Sequence, residues 1–92
     1  GLRGRPPEPH TMIIPPIDNV PRALRGKSVD VTFHIDILGN VTALDVAPPI
    51  TDRGFARKFD EAMRSYRFRP ARDADNRVVA GVFVVTLTFP GR

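Results

Sequence analysis

The residues able to do chemistry are few and mostly isolated. His34 shares an alternating stretch with Asp30 and Asp36. On a strand these three lie on one face, where imidazole and carboxylate can together hold a metal ion. Two carboxylates beside one imidazole on a wet sheet face are more often a charge-balanced surface. His10 sits among prolines. Ser28 and Ser65 have no His at a recognisable spacing, so a nucleophile–base–acid triad has no support. Asp73 and Asp75 flank a loop without the Gly and closing Glu of a calcium loop. Phosphate-cradling glycine motifs are absent. With no Cys, disulfides, thiolate metal sites and cysteine nucleophiles are excluded. The expectation is a protein that is not an enzyme, with no cofactor and no metal.

The chain has 92 residues, 14 Lys+Arg and 10 Asp+Glu, for a net charge of +4. That length suits one domain with a small core. All the basic residues but Lys27 and Lys58 are Arg, scattered from Arg3 to Arg92. The densest group is Arg64, Arg67, Arg69 and Arg72, around Tyr66 and Phe68. Scattered charge without a stripe of stacking aromatics argues against nucleic acid as a partner. No apolar run approaches the ~20 residues of a membrane span, and no signal segment opens the chain. Any anchor is expected to lie outside this sequence.

Residues 1–17 form a Pro-rich arm, and residues 18–92 the folded domain. Proline removes donors and favours extended geometry, so the arm reads as the end of a semi-rigid spacer. Met12, Ile13, Ile14 and Ile17 are apolar enough to dock on the domain. A short helix is expected over 20–26, capped by Asp18 or Asn19 and stopped by Gly26. Val29, Val31, Phe33, Ile35 and Ile37 alternate with polar residues, which predicts a strand with one wet face. Leu38-Gly39-Asn40 is a turn. The odd step from Val41 to Leu44 predicts a bulge or strong twist in the second strand. Thr51 or Asp52 caps a helix whose apolar stripe is Phe55, Phe59, Ala62, Met63 and Tyr66, ending near Arg67 before Pro70. Residues 77–89 form the last strand.

The expected architecture is therefore α+β in two layers. One long helix and a short N-terminal helix accompany a three-stranded antiparallel sheet of order 2-1-3. In that order the last strand has an open flank. It carries no proline and no charge from Val78 to Phe89, whereas edges are usually blunted by one or the other. Such a flank aggregates, pairs with a second copy, or receives a partner strand. On pattern alone, a buried central strand or an edge covered by the arm fits equally well.

These residues resemble the C-terminal domain of the TonB energy-transducer family. The likeness covers about residues 18–89. It rests on the alternating strand with Gly39-Asn40-Val41, on the helix closing in Tyr66-Arg67-Phe68-Arg69-Pro70, and on Asn76-Arg77-Val78-Val79 leading into the last strand. Lys27 stands where the family usually has Gly, and Tyr66 where Trp is common. The resemblance implies a periplasmic domain, anchored to the inner membrane by a segment outside this chain and coupled there to a proton-driven motor complex. The domain would capture the TonB box of an outer-membrane transporter by β-strand addition and pass on force for substrate import. The implied binding backbone is Val79, Ala80, Gly81, Val82, Phe83, Val84 and Val85; Arg22 and Arg25 are added as candidates for polar contacts to the transporter plug. For the two arginines, ordinary solvated charge is the plain alternative. A second reading is a TolA-like or other periplasmic scaffold that forms a homodimer through the same edge.

Overall fold

A computed structural model of the chain describes residues 4–10 and 19–91. In chain order the elements are β1 (Glu8–Pro9), a 3-10 helix (Arg22–Leu24), β2 (Ser28–Ile35), β3 (Val41–Ala47) and α1 (Arg53–Arg64). They continue with β4 (Phe68–Arg69), β5 (Ala71–Arg72), β6 (Val78–Val79) and β7 (Gly81–Thr88).

The alternation that stands out in the sequence places β2 at the centre of the main sheet. Its inward residues Val29, Val31, Phe33 and Ile35 are 0–2% exposed. On one side β2 pairs antiparallel with β3, on the other with β7. In β3, Val41 faces Ile35 and Ala43 faces His34, so Thr42 is an extra residue. The bulge expected between Val41 and Leu44 lies there, and it restores the inward phase for Leu44 and Val46. The helix α1 begins at Asp52, whose Oδ1 accepts the Phe55 N–H at 2.9 Å. That bond satisfies one of the donors left over in a first turn. Phe55, Phe59 and Met63 of its apolar stripe are buried. They share one core cluster with the inward residues of β2 and with Tyr66, Phe68 and Phe89. Ring centroids are 5.2 Å apart for Phe33–Phe68, 5.9 Å for Phe33–Tyr66 and 5.5 Å for Phe55–Phe89. Edge-to-face and tilted contacts at these distances add to simple area burial.

The molecule is α+β, with a mostly antiparallel strand arrangement and one long helix, but the sheet differs from the expectation. Instead of one sheet of three strands, the described residues hold seven strands in three sheets. These are β3-β2-β7 and the two-stranded ribbons β1-β4 and β5-β6. The expected last strand over 77–89 is broken at Ala80. Val78 and Val79 pair with Arg72 and Ala71, and only from Gly81 does the chain join β2. The helix stops at Arg64 rather than near Arg67. The backbone after Ser65 has other partners: the Phe68 N–H donates to the Gly39 carbonyl and the His10 N–H to the Arg67 carbonyl. Strand β2 ends at Ile35. Asp36 Oδ1 accepts the N–H groups of Leu38 and Asn40, forming the turn and leaving Ile37 57% exposed. The short helix is a single 3-10 turn preceded by Pro21, with no side-chain cap. Asp18 and the docking expected of Met12, Ile13, Ile14 and Ile17 lie outside the described residues.

Gly39 fixes the top of the hairpin. Its φ is +84°, and a Cβ there would collide with the Phe68 carbonyl. Only glycine tolerates both the left-handed backbone and that approach. The arm is part of the fold as far as it is described. Arg5 and Arg72 exchange both backbone bonds, at 2.7 and 2.9 Å. Glu8 and Pro9 pair with Arg69 and Phe68. Pro7 is buried beside Gly81, where its ring occupies the space a side chain would need.

Candidate functional site, the open flank of β7

The ladder between β2 and β7 runs from Ser28 opposite Thr88 to Ile35 opposite Gly81 without interruption. On its other side β7 has no strand among the described residues. Which of its backbone groups point that way follows from the bonds at its end. The Phe89 N–H donates to the Lys27 carbonyl at 2.9 Å, and the Phe89 carbonyl accepts from the Gly26 N–H at 3.1 Å. Phe89 therefore turns its polar backbone toward β2. Bonding direction alternates along an antiparallel strand. Gly81, Phe83, Val85 and Leu87 must face β2, and Val82, Val84, Thr86 and Thr88 must face outward. The turn agrees, since the Asp36 N–H donates to Asn40 and so even-numbered β2 residues face β3.

The flank thus offers four N–H groups and four C=O groups over about 20 Å, at ~3.3 Å per residue. Side chains follow the same parity. Val82 and Val84 are 50% and 58% exposed on the outer face. On the inner face Phe83, Val85 and Leu87 are only half-buried, although their opposite numbers Phe33, Val31 and Val29 are fully enclosed. The core is finished at β2 and unfinished at β7. Farther along, the outer face is polar and internally bonded. Thr86 Oγ1 donates to Asp30 Oδ1 at 2.6 Å, and the Ser28 and Thr88 hydroxyls lie 2.8 Å apart.

The structure does not gather the residues expected to form the site into one line. Val79 belongs to β6 and pairs with Ala71, and Ala80 lies between strands. Gly81, Val82, Phe83, Val84 and Val85 are consecutive in β7, but only Val82 and Val84 turn their backbone to the open side. Arg22 and Arg25 are exposed beside the opposite end of β7, next to the Gly26–Phe89 bond. That is at least four residues beyond Val85, or ~13 Å along the strand. Arg25 Nε donates to the Val20 carbonyl at 3.3 Å. Thr86 and Thr88 were not among the expected binding residues. The alternation that marks Val82 and Val84 also marks them, once the bonding direction is known.

The polar residues of the first strand are engaged separately. His34 Nε2 lies 2.7 Å from Asp45 Oδ2, Asp30 accepts from Thr86, and Asp36 binds its own turn. Among the described residues no three His, Asp or Glu side chains come together as a metal site. Burial raises the Tyr66 phenol above its ordinary value by desolvation. No protein-family model matches the chain, and no curated protein matches it either.

Proposed function

We propose that this domain captures an extended peptide by strand addition to the outer flank of β7. The reading is that of a TonB-type transducer. The peptide is the TonB box of an outer-membrane transporter, and the site of action is the periplasm. An inner-membrane motor supplies force through chain ahead of this segment. Arg22 and Arg25 would meet the transporter plug beyond the strand. No catalytic step is assigned.

One observation carries the reading: among the described residues, the outward backbone of Val82, Val84, Thr86 and Thr88 has no strand beside it, on a strand with neither charge nor proline. Main-chain bonds there supply affinity, and neighbouring side chains supply register. The half-buried Phe83, Val85 and Leu87 favour a guest with apolar residues at its inward positions. Val82 and Val84 favour apolar contacts at its outward positions too, near the start of β7.

The test is a titration of the full chain with a synthetic TonB-box peptide, followed by amide resonances. The largest shifts are expected at Val82, Val84, Thr86 and Thr88. Val84→Pro removes one outward donor and leaves the β2 ladder whole, so the fold should survive while affinity falls at least about fivefold. Val85→Pro removes a ladder donor instead and should compromise the fold. Shifts confined to the hairpin of β2 and β3, or unchanged affinity in a folded Val84→Pro variant, would refute strand addition. A stable dimer at low concentration that refuses peptide would favour the scaffold reading.

A further inference from the structure

The docked arm creates a second site, distinct from the flank of β7. Arg5 and Arg72 stand directly opposite each other, joined by two backbone bonds. In such a pair the two side chains emerge on the same face, where like charges repel. The juxtaposition is enforced by close approach. A Cβ on Gly4 would run into the Arg72 carbonyl, so only glycine lets the arm lie this near. Arg5, Arg69 and Arg72 line one small cleft of about 90 Å³, together with Pro6, Pro70 and Glu8. The prolines are stiff walls. Arg72 Nη1 is held by the Asn76 carbonyl at 2.9 Å. The cleft's carboxylate, Glu8, approaches Arg69 only to 4.0 Å. Among the described residues neither Arg5 nor Arg72 has an ion pair. The cleft is thus a concentration of positive charge built across two strands, with one carboxylate against three guanidiniums.

We infer that this cleft binds a phosphate-type oxyanion, held between Arg5 on the arm and Arg72 on the domain. Planar guanidinium groups present paired N–H donors that match the oxygens of such an anion. An anion between Arg5 and Arg72 removes their repulsion and staples the arm in place. Glu8 is the competing carboxylate, which sets the direction of its own substitution.

The experiment titrates the full chain with inorganic phosphate at constant ionic strength, with chloride as the control. Saturable shifts are expected at the backbone and side-chain N–H groups of Arg5, Arg69 and Arg72, with slower exchange of the Arg5 and Arg72 amides. Arg72→Gln and Arg5→Gln should each weaken binding about tenfold, as befits a charge-assisted hydrogen bond. Glu8→Gln should tighten it more than Glu61→Gln on the helix does, a difference that a diffuse basic surface would not give. Unaltered far-UV circular dichroism in each variant separates lost binding from lost fold. A parallel arm uses vesicles of anionic phospholipid against neutral ones. Vesicle retention that depends on Arg72 assigns the anion to a lipid headgroup, and saturable phosphate binding without retention assigns it to a free ion. Shifts that track ionic strength and spread equally over Arg22, Arg57 and Arg77, with no Arg72-dependent retention, would overturn the proposal. So would affinity unchanged by both Arg72→Gln and Glu8→Gln.

Discussion

Strands β2 and β7 carry nearly the same alternation yet live in different surroundings. In β2 the backbone bonds on both sides and the inward side chains are 0–2% exposed. In β7 it bonds on one side among the described residues, and Phe83, Val85 and Leu87 remain half-buried. Apolar periodicity specifies a face. The number of neighbours a strand has is decided by chain segments far away in sequence. For β2 they complete the structure, and for β7 the described segments leave one row of donors and acceptors facing outward.

The sharpest way to break this contrast uses one residue type at two positions facing each other. Phe33 and Phe83 are ladder partners with ring centroids 6.4 Å apart. Phe33→Ala should cost about 3–5 kcal/mol by chemical denaturation, a large share of a small domain's stability. Phe83→Ala should cost about half of that or less, because part of its surface is already wet. Equal losses would mean that β7 is as enclosed as β2.

A second test concerns the hairpin that anchors β2 to the segment after the helix. Gly39→Ala forces a side chain into left-handed backbone and against the Phe68 carbonyl. A loss of about 2–3 kcal/mol is expected from strain and displacement together. A neutral effect would mean that the turn and residue 68 are not coupled.

The third test is a pH titration. Tyr66 packs edge-on to Phe33, and burial raises its phenol above the ordinary value of 10.0. The unfolded chain then gives up this proton first. Stability from the neutral phenol is complete below the ordinary tyrosine value and is lost as pH climbs through the higher folded one. Denaturation midpoints should fall more steeply in alkali for the native chain than for Tyr66→Phe. Parallel curves would place the ring in water, away from β2.

The smallest effect is expected on the outer face. Thr86→Val removes the 2.6 Å bond to Asp30, which is exposed, and should shift stability by less than about 1 kcal/mol. A larger loss would make that face a structural seam rather than a free surface.

Much of the main architecture was legible in the sequence. The inward residues Val29 to Ile35, the bulge at Thr42, the Asp52 cap and the stripe from Phe55 to Met63 all depend on neighbours within a few positions. What was not legible depends on distant pairing. Residues 67–72 carry no periodicity of their own and are interrupted by Pro70. They become strands because residues 5–10 and 78–79 lie alongside. The break at Ala80 has the same origin, since Gly81 leaves room for Pro7, a residue 74 positions earlier in the sequence. In the candidate site, parity was readable at Val82 and Val84. The outward bonding direction of Val82, Val84, Thr86 and Thr88 alike was not, because it rests on the contact between Phe89 and Lys27.

Pro7 is the arm's buried residue among those described, and its socket exists because position 81 has no side chain. A pull applied ahead of Gly4 therefore meets the Arg5–Arg72 bridge first, then this plug, then the bond from His10 to Arg67. The aromatic interior feels the load through Phe68, the ladder partner of Pro9, once the bridge and the plug have yielded. The arm is thus the first fastening such a load would test, ahead of the β3-β2-β7 sheet.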